Sequence, residues 1–409
     1  MCLQKKDYYM YQAYRPKSKF GGNNSNYNRN RFQGRPKRSF GESIDPNRFV
    51  QKATNFNIEI PTEIKNKFAD FKFCQELNRN LQYKKYEIPT PIQDQSIEHI
   101  MNGRDIVGLA NTGTGKTAAF LLPLINRAFL NKNERVLIIA PTRELANQIS
   151  NEMHEFSFSM KVFQATCVGG MPMGKQIQSL RRNPNFVIGT PGRLKDLANK
   201  NFLKLETFHN IILDEVDRML DMGFVDDISE ILNLLPKDRQ SLFFSATMPP
   251  KIRVLVDKFL VNPVTVQIKS RDTAENVDQD VVRCSKDQKL EKLHEILSKP
   301  ETDKVLIFSE TKRDVEKLTN DLIAKGFRAD SIHGDKRQGQ RQRSLNLFKT
   351  SQVKILVATD VAARGIDIKD ISHVINYTQP QTYTDYIHRI GRTGRCGKTG
   401  IALTFVESR

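Results

Sequence analysis

No run of the 409-residue chain approaches the ~20 consecutive apolar residues that a membrane-crossing helix needs. Apolar residues make up 38% and the mean hydropathy is −0.51, which argues against an integral membrane protein. Cysteine is equally sparse. The five residues Cys2, Cys74, Cys167, Cys284 and Cys396 include no C-x-x-C pair, so neither a disulfide framework nor a zinc site is expected, and they read as reduced, mostly buried small side chains. The opening Met1-Cys2-Leu3-Gln4-Lys5-Lys6 lacks the apolar stretch of a secretory signal, so a cytoplasmic location is expected. The length suits two or three ordinary domains.

What the chain has in excess is positive charge. Its 64 Lys and Arg against 46 Asp and Glu leave a net +18, which favours a polyanionic partner but also simply keeps proteins soluble. Placement sharpens the reading. Residues 1–48 hold eleven Lys and Arg against three Asp and Glu, so +8 of the +18 sits there. The stretch is rich in Asn, Gly, Arg, Lys and Tyr and lacks aliphatic residues to bury, so residues 1–46 read as a disordered basic tail. Tyr8, Tyr9, Tyr11, Tyr14, Tyr27 and Phe32 lie among its cations, an arrangement suited to stacking on bases beside phosphate contacts. A flexible solubilising tail is the alternative.

Beyond the tail, short β-branched runs alternate with amphipathic stretches, the pattern of parallel sheets covered by helices. Strands are expected at Asp105–Leu109, Val136–Ala140, Phe186–Gly189, Asn210–Leu213 and Ser241–Phe244, then at Lys304–Phe308, Asp330–His333, Lys354–Ala358, His373–Tyr377 and Ile401–Phe405. This predicts an α/β chain of two sheets. The first domain is placed at 47–268, a polar linker at 269–277 and the second domain at 278–409. The chain stops just after the last expected strand, so substrate choice is expected to come from the tail or from partners.

The chemistry begins directly after the first strand. Ala110-Asn111-Thr112-Gly113-Thr114-Gly115-Lys116-Thr117 precedes a helical run, Ala118–Phe129. In a phosphate-binding loop, glycines let backbone N–H groups close around phosphate, the lysine reaches the outer phosphates, and the Thr hydroxyl ligates Mg²⁺. Ala110 occupies the first glycine position of the general pattern, but the strand and helix on either side support the reading. Hydrolysis also needs a metal ligand and a group that positions water. Ile211-Ile212-Leu213-Asp214-Glu215 delivers two carboxylates to the carboxyl edge of the sheet, Asp214 for Mg²⁺ through water and Glu215 to orient and deprotonate the attacking water. The second sheet offers no second phosphate loop. It holds His388-Arg389-Ile390-Gly391-Arg392-Thr393-Gly394-Arg395, three guanidiniums that could neutralise charge on the γ-phosphate if the domains face each other.

This set of motifs, from about Phe68 to Arg409, resembles the DEAD-box RNA helicases. The resemblance implies two tandem RecA-like domains, ATP and Mg²⁺ as cofactors, and RNA bound without sequence preference. Pro89-Thr90-Pro91-Ile92-Gln93 matches the Q motif, in which Gln93 reads the adenine edge and the upstream Phe68 stacks on the base. Thr112, Gly113, Thr114, Gly115, Lys116 and Thr117 match the phosphate loop, and Asp214-Glu215-Val216-Asp217 the naming motif. Ser245-Ala246-Thr247 matches the segment that couples hydrolysis to closure through Asp217 and His388. Asp367 would bind the ribose, and Arg392 and Arg395 would be the arginine fingers. The implied RNA contacts are Pro141, Arg143, Gly169, Gly170, Thr190 and Arg193 in the first domain and Thr311, Arg341, Thr359 and Arg364 in the second. These types grip phosphates without reading bases.

Two positions depart from the family's pattern: Val216 replaces an alanine, and Lys85 stands where glycine commonly precedes the aromatic Tyr86. Neither removes a catalytic group. The expected activity is RNA-stimulated ATP hydrolysis with local separation of short duplexes or remodelling of RNA–protein complexes. An ATP-gated RNA clamp shares the same pocket, and a DNA-translocating enzyme is disfavoured by the Q motif.

Overall fold

The computed structural model of the protein describes residues 45–53, 64–111, 113–268, 276–363, 368, 370–394 and 399–408. The tail through residue 44, most of the expected linker, and Thr112, Arg364, Asp367 and Arg395 lie outside the described residues.

The first domain opens with α1 (Gln75–Tyr83) and α2 (Pro91–Met101). It continues through β1 (Ile106–Leu109), α3 (Lys116–Leu130), β2 (Val136–Ile139), α4 (Arg143–Phe156), β3 (Gln164–Cys167), α5 (Met173–Leu180), β4 (Phe186–Gly189) and α6 (Pro191–Asn199). It closes with β5 (Asn210–Asp214), α7 (Val216–Asp221), α8 (Val225–Leu234), β6 (Gln240–Ser245), α9 (Pro250–Phe259) and β7 (Val264–Gln267). The second runs through β8 (Val277–Cys284), α10 (Lys289–Leu297), β9 (Val305–Phe308), α11 (Lys312–Ala324), β10 (Ala329–Ile332), α12 (Gln338–Lys349) and β11 (Ile355–Ala358). It ends with α13 (Asp360–Ala363), β12 (His373–Asn376), α14 (Tyr383–Ile390) and β13 (Gly400–Glu407).

Among the described residues the first sheet has seven strands in the order β3-β4-β2-β5-β6-β1-β7, and the second has six in the order β10-β11-β9-β12-β13-β8. Neighbours within both sheets are parallel. Central strands such as Val136-Leu137-Ile138-Ile139 and Val305-Leu306-Ile307-Phe308 are apolar on both faces because helices cover both. Their side chains divide between two cores: Ile138 joins the layer of Leu121, Phe120 and Phe244, whereas Leu137 joins Leu194, Ile228 and Phe243 on the other face.

Three strands escaped the sequence reading: β3, β7 and β8. All three are edges. An edge strand is wet along one side and part of one face, so its residues alternate in polarity and present no apolar run. The second sheet therefore begins at Val277 in chain order, not at Lys304 as expected.

One boundary is corrected. Residues 47–53, assigned to the first domain, rest on the second: Gln51 pairs antiparallel with Gln279 of β8, and Phe49 is fully buried with Val277, Tyr386, Ile390 and Ala402. Among the described residues, no helix is long and apolar enough to cross a membrane. The described Cys74, Cys167 and Cys284 are free thiols.

Candidate active site and nucleic-acid interface

Because the strands are parallel, every loop that follows a strand opens on the same carboxyl edge, and the strand order divides that edge into two halves. The β5-β6-β1 half collects the phosphate loop, Asp214-Glu215 and Ser245-Ala246-Thr247. The β3-β4-β2 half collects Gly169-Gly170, Thr190 to Arg193, and Pro141 to Arg143.

In the first half, Gly115 caps α3 with φ +89°, and a Cβ there would meet Gln93 Nε2 at 2.4 Å, so only glycine fits. Gly113 is likewise left-handed, at φ +84°. Thr114 donates its hydroxyl to Asn111 O (2.8 Å), and the buried Lys116 ammonium donates to Ala110 O (2.8 Å) inside the loop. Thr117 follows on the first turn of α3. Gln93 accepts from Thr90 N–H (2.8 Å) and donates to Gly115 O (3.0 Å), tying the start of α2 to the loop. Phe68 sits in the core with its ring against Tyr86 and Phe71.

Asp214 ends β5 fully buried. Burial pushes its carboxyl above the usual carboxylate range, with the Lys116 ammonium opposing and the Glu215 carboxylate adding to the rise. Glu215 has φ 54°, a left-handed conformation rare outside glycine, and Arg218 Nη1 donates to its Oε2 at 2.6 Å. Both partners are almost wholly buried. Asp217 Oδ2 accepts from Ala246 N (3.1 Å), Thr247 N (3.0 Å) and Thr247 Oγ1 (3.2 Å), while Ser245 Oγ accepts from Asp217 N (3.3 Å). Ser245 O in turn accepts from Ala110 N at the mouth of the phosphate loop (3.1 Å).

The second domain offers a small pocket lined by Phe308, Asp360, Ala363, Asp385, His388, Arg389 and Arg392. Arg389 is built into the fold. Its Nε and Nη2 grip Asp360 at 2.6 and 2.7 Å, Nη1 donates to Asn376 Oδ1 and Thr378 O, and the guanidinium lies 5.1 Å from the Phe308 ring centre. Of the three arginines counted in the sequence, this one is structural. Arg392 follows α14 in a turn, its Nε donating to His388 O at 3.3 Å.

In the other half, Arg143 begins α4 behind the Thr142 cap, whose Oγ1 accepts from Leu145 N (3.2 Å). Its guanidinium lies against Gly169 and Gly170; a Cβ on Gly170 would fall 2.1 Å from Arg143 Nη1. Pro141 is buried just before the Thr142 cap, and Thr190 stands at the N-terminal end of α6 with Arg193 in its first turn, Nη1 donating to Met171 O (3.3 Å). Arg143 has its pKa lowered by burial and by the neighbouring Arg341 and Arg193, with Glu144 opposing. Arg341, on α12 of the second domain, pairs with Glu144 of the first at 3.0 Å, and Gln338 Nε2 reaches the same Oε1 at 3.3 Å. Thr311 caps α11, and Thr359 follows β11, its carbonyl accepting from Ala362 and Ala363. Arginines from both domains thus converge on one basic surface.

Two family models match the chain: DEAD/DEAH box helicase over residues 90–255 and helicase conserved C-terminal domain over residues 288–397. The ATP-dependent RNA helicase CshA of Listeria monocytogenes is 44% identical over 345 residues, covering 84% of this chain and 66% of that protein. The DEAD-box ATP-dependent RNA helicase CshA of Bacillus licheniformis is 41% identical over 344 residues, covering 84% and 71%. The chain belongs to the DEAD-box RNA helicases. Among solved structures, Saccharomyces cerevisiae Dbp5 bound to RNA and ADP BeF3 matches with a TM-score of 0.74 and 31% identity, covering 84% of this chain and 90% of that one.

Both departures from the DEAD-box pattern have a structural account. The Val216 side chain points away from the site into the core of Met219 and Phe243, and the Asp217 bonds to Thr247 remain in place. Lys85 has φ 57°, the conformation that explains the family's glycine. Sequence reasoning missed Glu144, Gln338 and Arg218. Glu144 and Gln338 meet across 194 positions and left no local signal; Arg218 stands beside Asp217, where a charged first-turn residue reads as solvated.

Proposed function

We propose that this DEAD-box chain hydrolyses ATP when RNA is bound and uses the cycle to separate short RNA duplexes or remodel RNA–protein complexes. The observation that carries the reading is the Asp217 carboxylate. It joins the strand bearing the proposed catalytic pair to Thr247, and Ser245 joins the same segment to Ala110, so the loop of residues 110–117, the carboxylates and the coupling segment share one hydrogen-bonded edge, which supports the reading.

Lys116 would exchange its bond to Ala110 O for the β- and γ-phosphates. Gln93 keeps one unused N–H and one lone pair beyond its two bonds, enough to read the adenine edge, with Phe68 as the aromatic wall and Asp367 on the ribose. Mg²⁺ fits the donor set: a single buried carboxylate at Asp214 and the Thr117 hydroxyl suit an ion that keeps its waters and binds mainly to phosphates. When bound, it would neutralise charge on the β- and γ-oxygens. Glu215, aimed by its left-handed backbone and by Arg218, takes a proton from water as its oxygen attacks the γ-phosphorus and the bond to ADP breaks. Arg392 and Arg395 would stabilise the charge on the transferring phosphoryl group, with His388 sensing Asp217 and Thr247. RNA phosphates would lie along the surface shared by Arg143, Gly169, Gly170, Thr190, Arg193, Thr311, Arg341, Thr359 and Arg364, without base selection. RNA touching both domains holds them together, so hydrolysis depends on it.

Strand displacement from a short labelled RNA duplex tests the proposal. ATP should release the strand with wild type and not with Lys116→Ala. Long-lived RNA retention without release would support the clamp instead, and stimulation by DNA of the same sequence equal to that by RNA would contradict RNA as the substrate.

A further inference from the structure

Residues 45–53 precede the first domain in sequence but are docked on the second, behind the helix that leads to Arg392. The segment opens with a short 3₁₀ turn, Pro46–Phe49, capped by the Asp45 carboxylate, which accepts from Asn47 N at 2.9 Å. Phe49 has no exposed surface, and its ring centre lies 4.7 Å from that of Tyr386 on α14. Arg48 lies over the Tyr383 ring at 4.3 Å. Gln51 exchanges both backbone bonds with Gln279 of β8 (3.0 and 2.8 Å), and Ala53 N donates to Asp278 Oδ1 (2.9 Å). The Gln279 side chain then accepts the Tyr386 hydroxyl proton at 2.8 Å, so backbone pairing on the sheet edge passes directly to α14.

α14 is eight residues long, too short to hold its own orientation. One face, Tyr383, Tyr386 and Ile390, contacts the segment or the core it completes; the other, Asp385, His388 and Arg389, lines the pocket shared with Arg392. Without residues 45–53 the first face would lose its aromatic cover, and β8 the bridge that pairs Gln51 with Gln279.

We propose that residues 45–53 are a positioning strap: by docking Phe49 and Gln51 behind α14, they fix the helix that aims Arg392 and His388 at the nucleotide. The role rests on the reading of Arg392 as a finger. Phe49 touches no reacting atom, so the strap acts through α14 and should govern turnover more than substrate binding.

The test is steady-state ATP turnover with saturating single-stranded RNA, in the full chain, for Phe49→Ala and Gln51→Pro, with Arg392→Ala in parallel. Proline at 51 removes the N–H that bonds Gln279 O and leaves the second domain's own core untouched, so it decides the matter if Phe49→Ala does not fold. Both strap variants should lose at least about fivefold in kcat with KM for ATP within about twofold of wild type, as expected when a group acting only in the transition state is misplaced. A peptide spanning Asp45–Ala53, added in trans to Phe49→Ala, should restore much of the loss. Wild-type kcat in both strap variants, or an equal deterioration of KM, would overturn the proposal while an inactive Arg392→Ala left the site reading intact. Full activity in Arg392→Ala would overturn that reading, and the strap's role with it.

Discussion

Glu215 shows how far a single residue can depart from local backbone preference when the elements on either side of it are held. Its left-handed backbone costs on the order of 1–2 kcal/mol, and it persists because β5 and α7 are both anchored, the former in the sheet and the latter by Asp217 on Ser245 and Thr247. Glu215→Gln keeps the shape and Arg218's partner oxygen but removes the proton acceptor, so kcat should fall by about 10²-fold or more with KM little changed, as read in a coupled ATPase assay. Arg389 presents the opposite case. Replacing it with alanine removes a nearly buried cation and leaves Asp360, Asn376 Oδ1 and Thr378 O without their donor, which should cost about 3 kcal/mol in urea unfolding. Lysine should not rescue it, because one ammonium cannot reproduce the forked grip on Asp360. The candidate site residues that the sequence could name are those whose pattern is local: a glycine loop before a helix, carboxylates at a strand end. Arg389 and Arg392 look alike as letters, and only packing shows that the first is tied into the fold through Asp360, Asn376 and Thr378.

Burial decided most of which strands were legible, the edge strand β10 being read from the sequence all the same. The central strands read as apolar runs because helices cover both faces, whereas β3, β7 and β8 mix polar and apolar residues at the sheet edges and blended into loops. The docked strap was hidden for the same reason: one 3₁₀ turn and one bridge leave no periodicity, and of its apolar Phe49 and Val50 only Phe49 is buried. At the end of α1, Tyr86 N bonds Leu81 O and Lys85 N bonds Gln82 O (both 2.9 Å), the double bond of a Schellman cap that places Lys85 in the left-handed position. Lys85→Gly should relieve that strain, stabilising the first domain by about 1 kcal/mol and raising its Tm by about 2–4 °C in calorimetry. An unchanged or lower Tm would mean that the entropy glycine loses on folding cancels the gain.

At the scale of the whole molecule, strand order divides one sheet edge into two halves, to which the proposed function assigns phosphate chemistry over β5-β6-β1 and polynucleotide contact over β3-β4-β2, and the Glu144–Arg341 pair joins the second domain to the latter half. The two-domain plan was readable from alternation and motifs, but the contact between domains was not, since its partners lie far apart in sequence. The basic segment before the strap adds an electrostatic test. Removing residues 1–44, which spares the Asp45 cap, should weaken RNA binding and flatten the dependence of log Kd on log salt, leaving nucleotide affinity unchanged. Equal slopes would make that segment a solubiliser only. The central claim, that RNA completes an ATPase whose parts lie on two domains, is tested most directly by ATP turnover of the full chain with and without single-stranded RNA. RNA should raise kcat at least about tenfold, and the same turnover in its presence and absence would contradict the account.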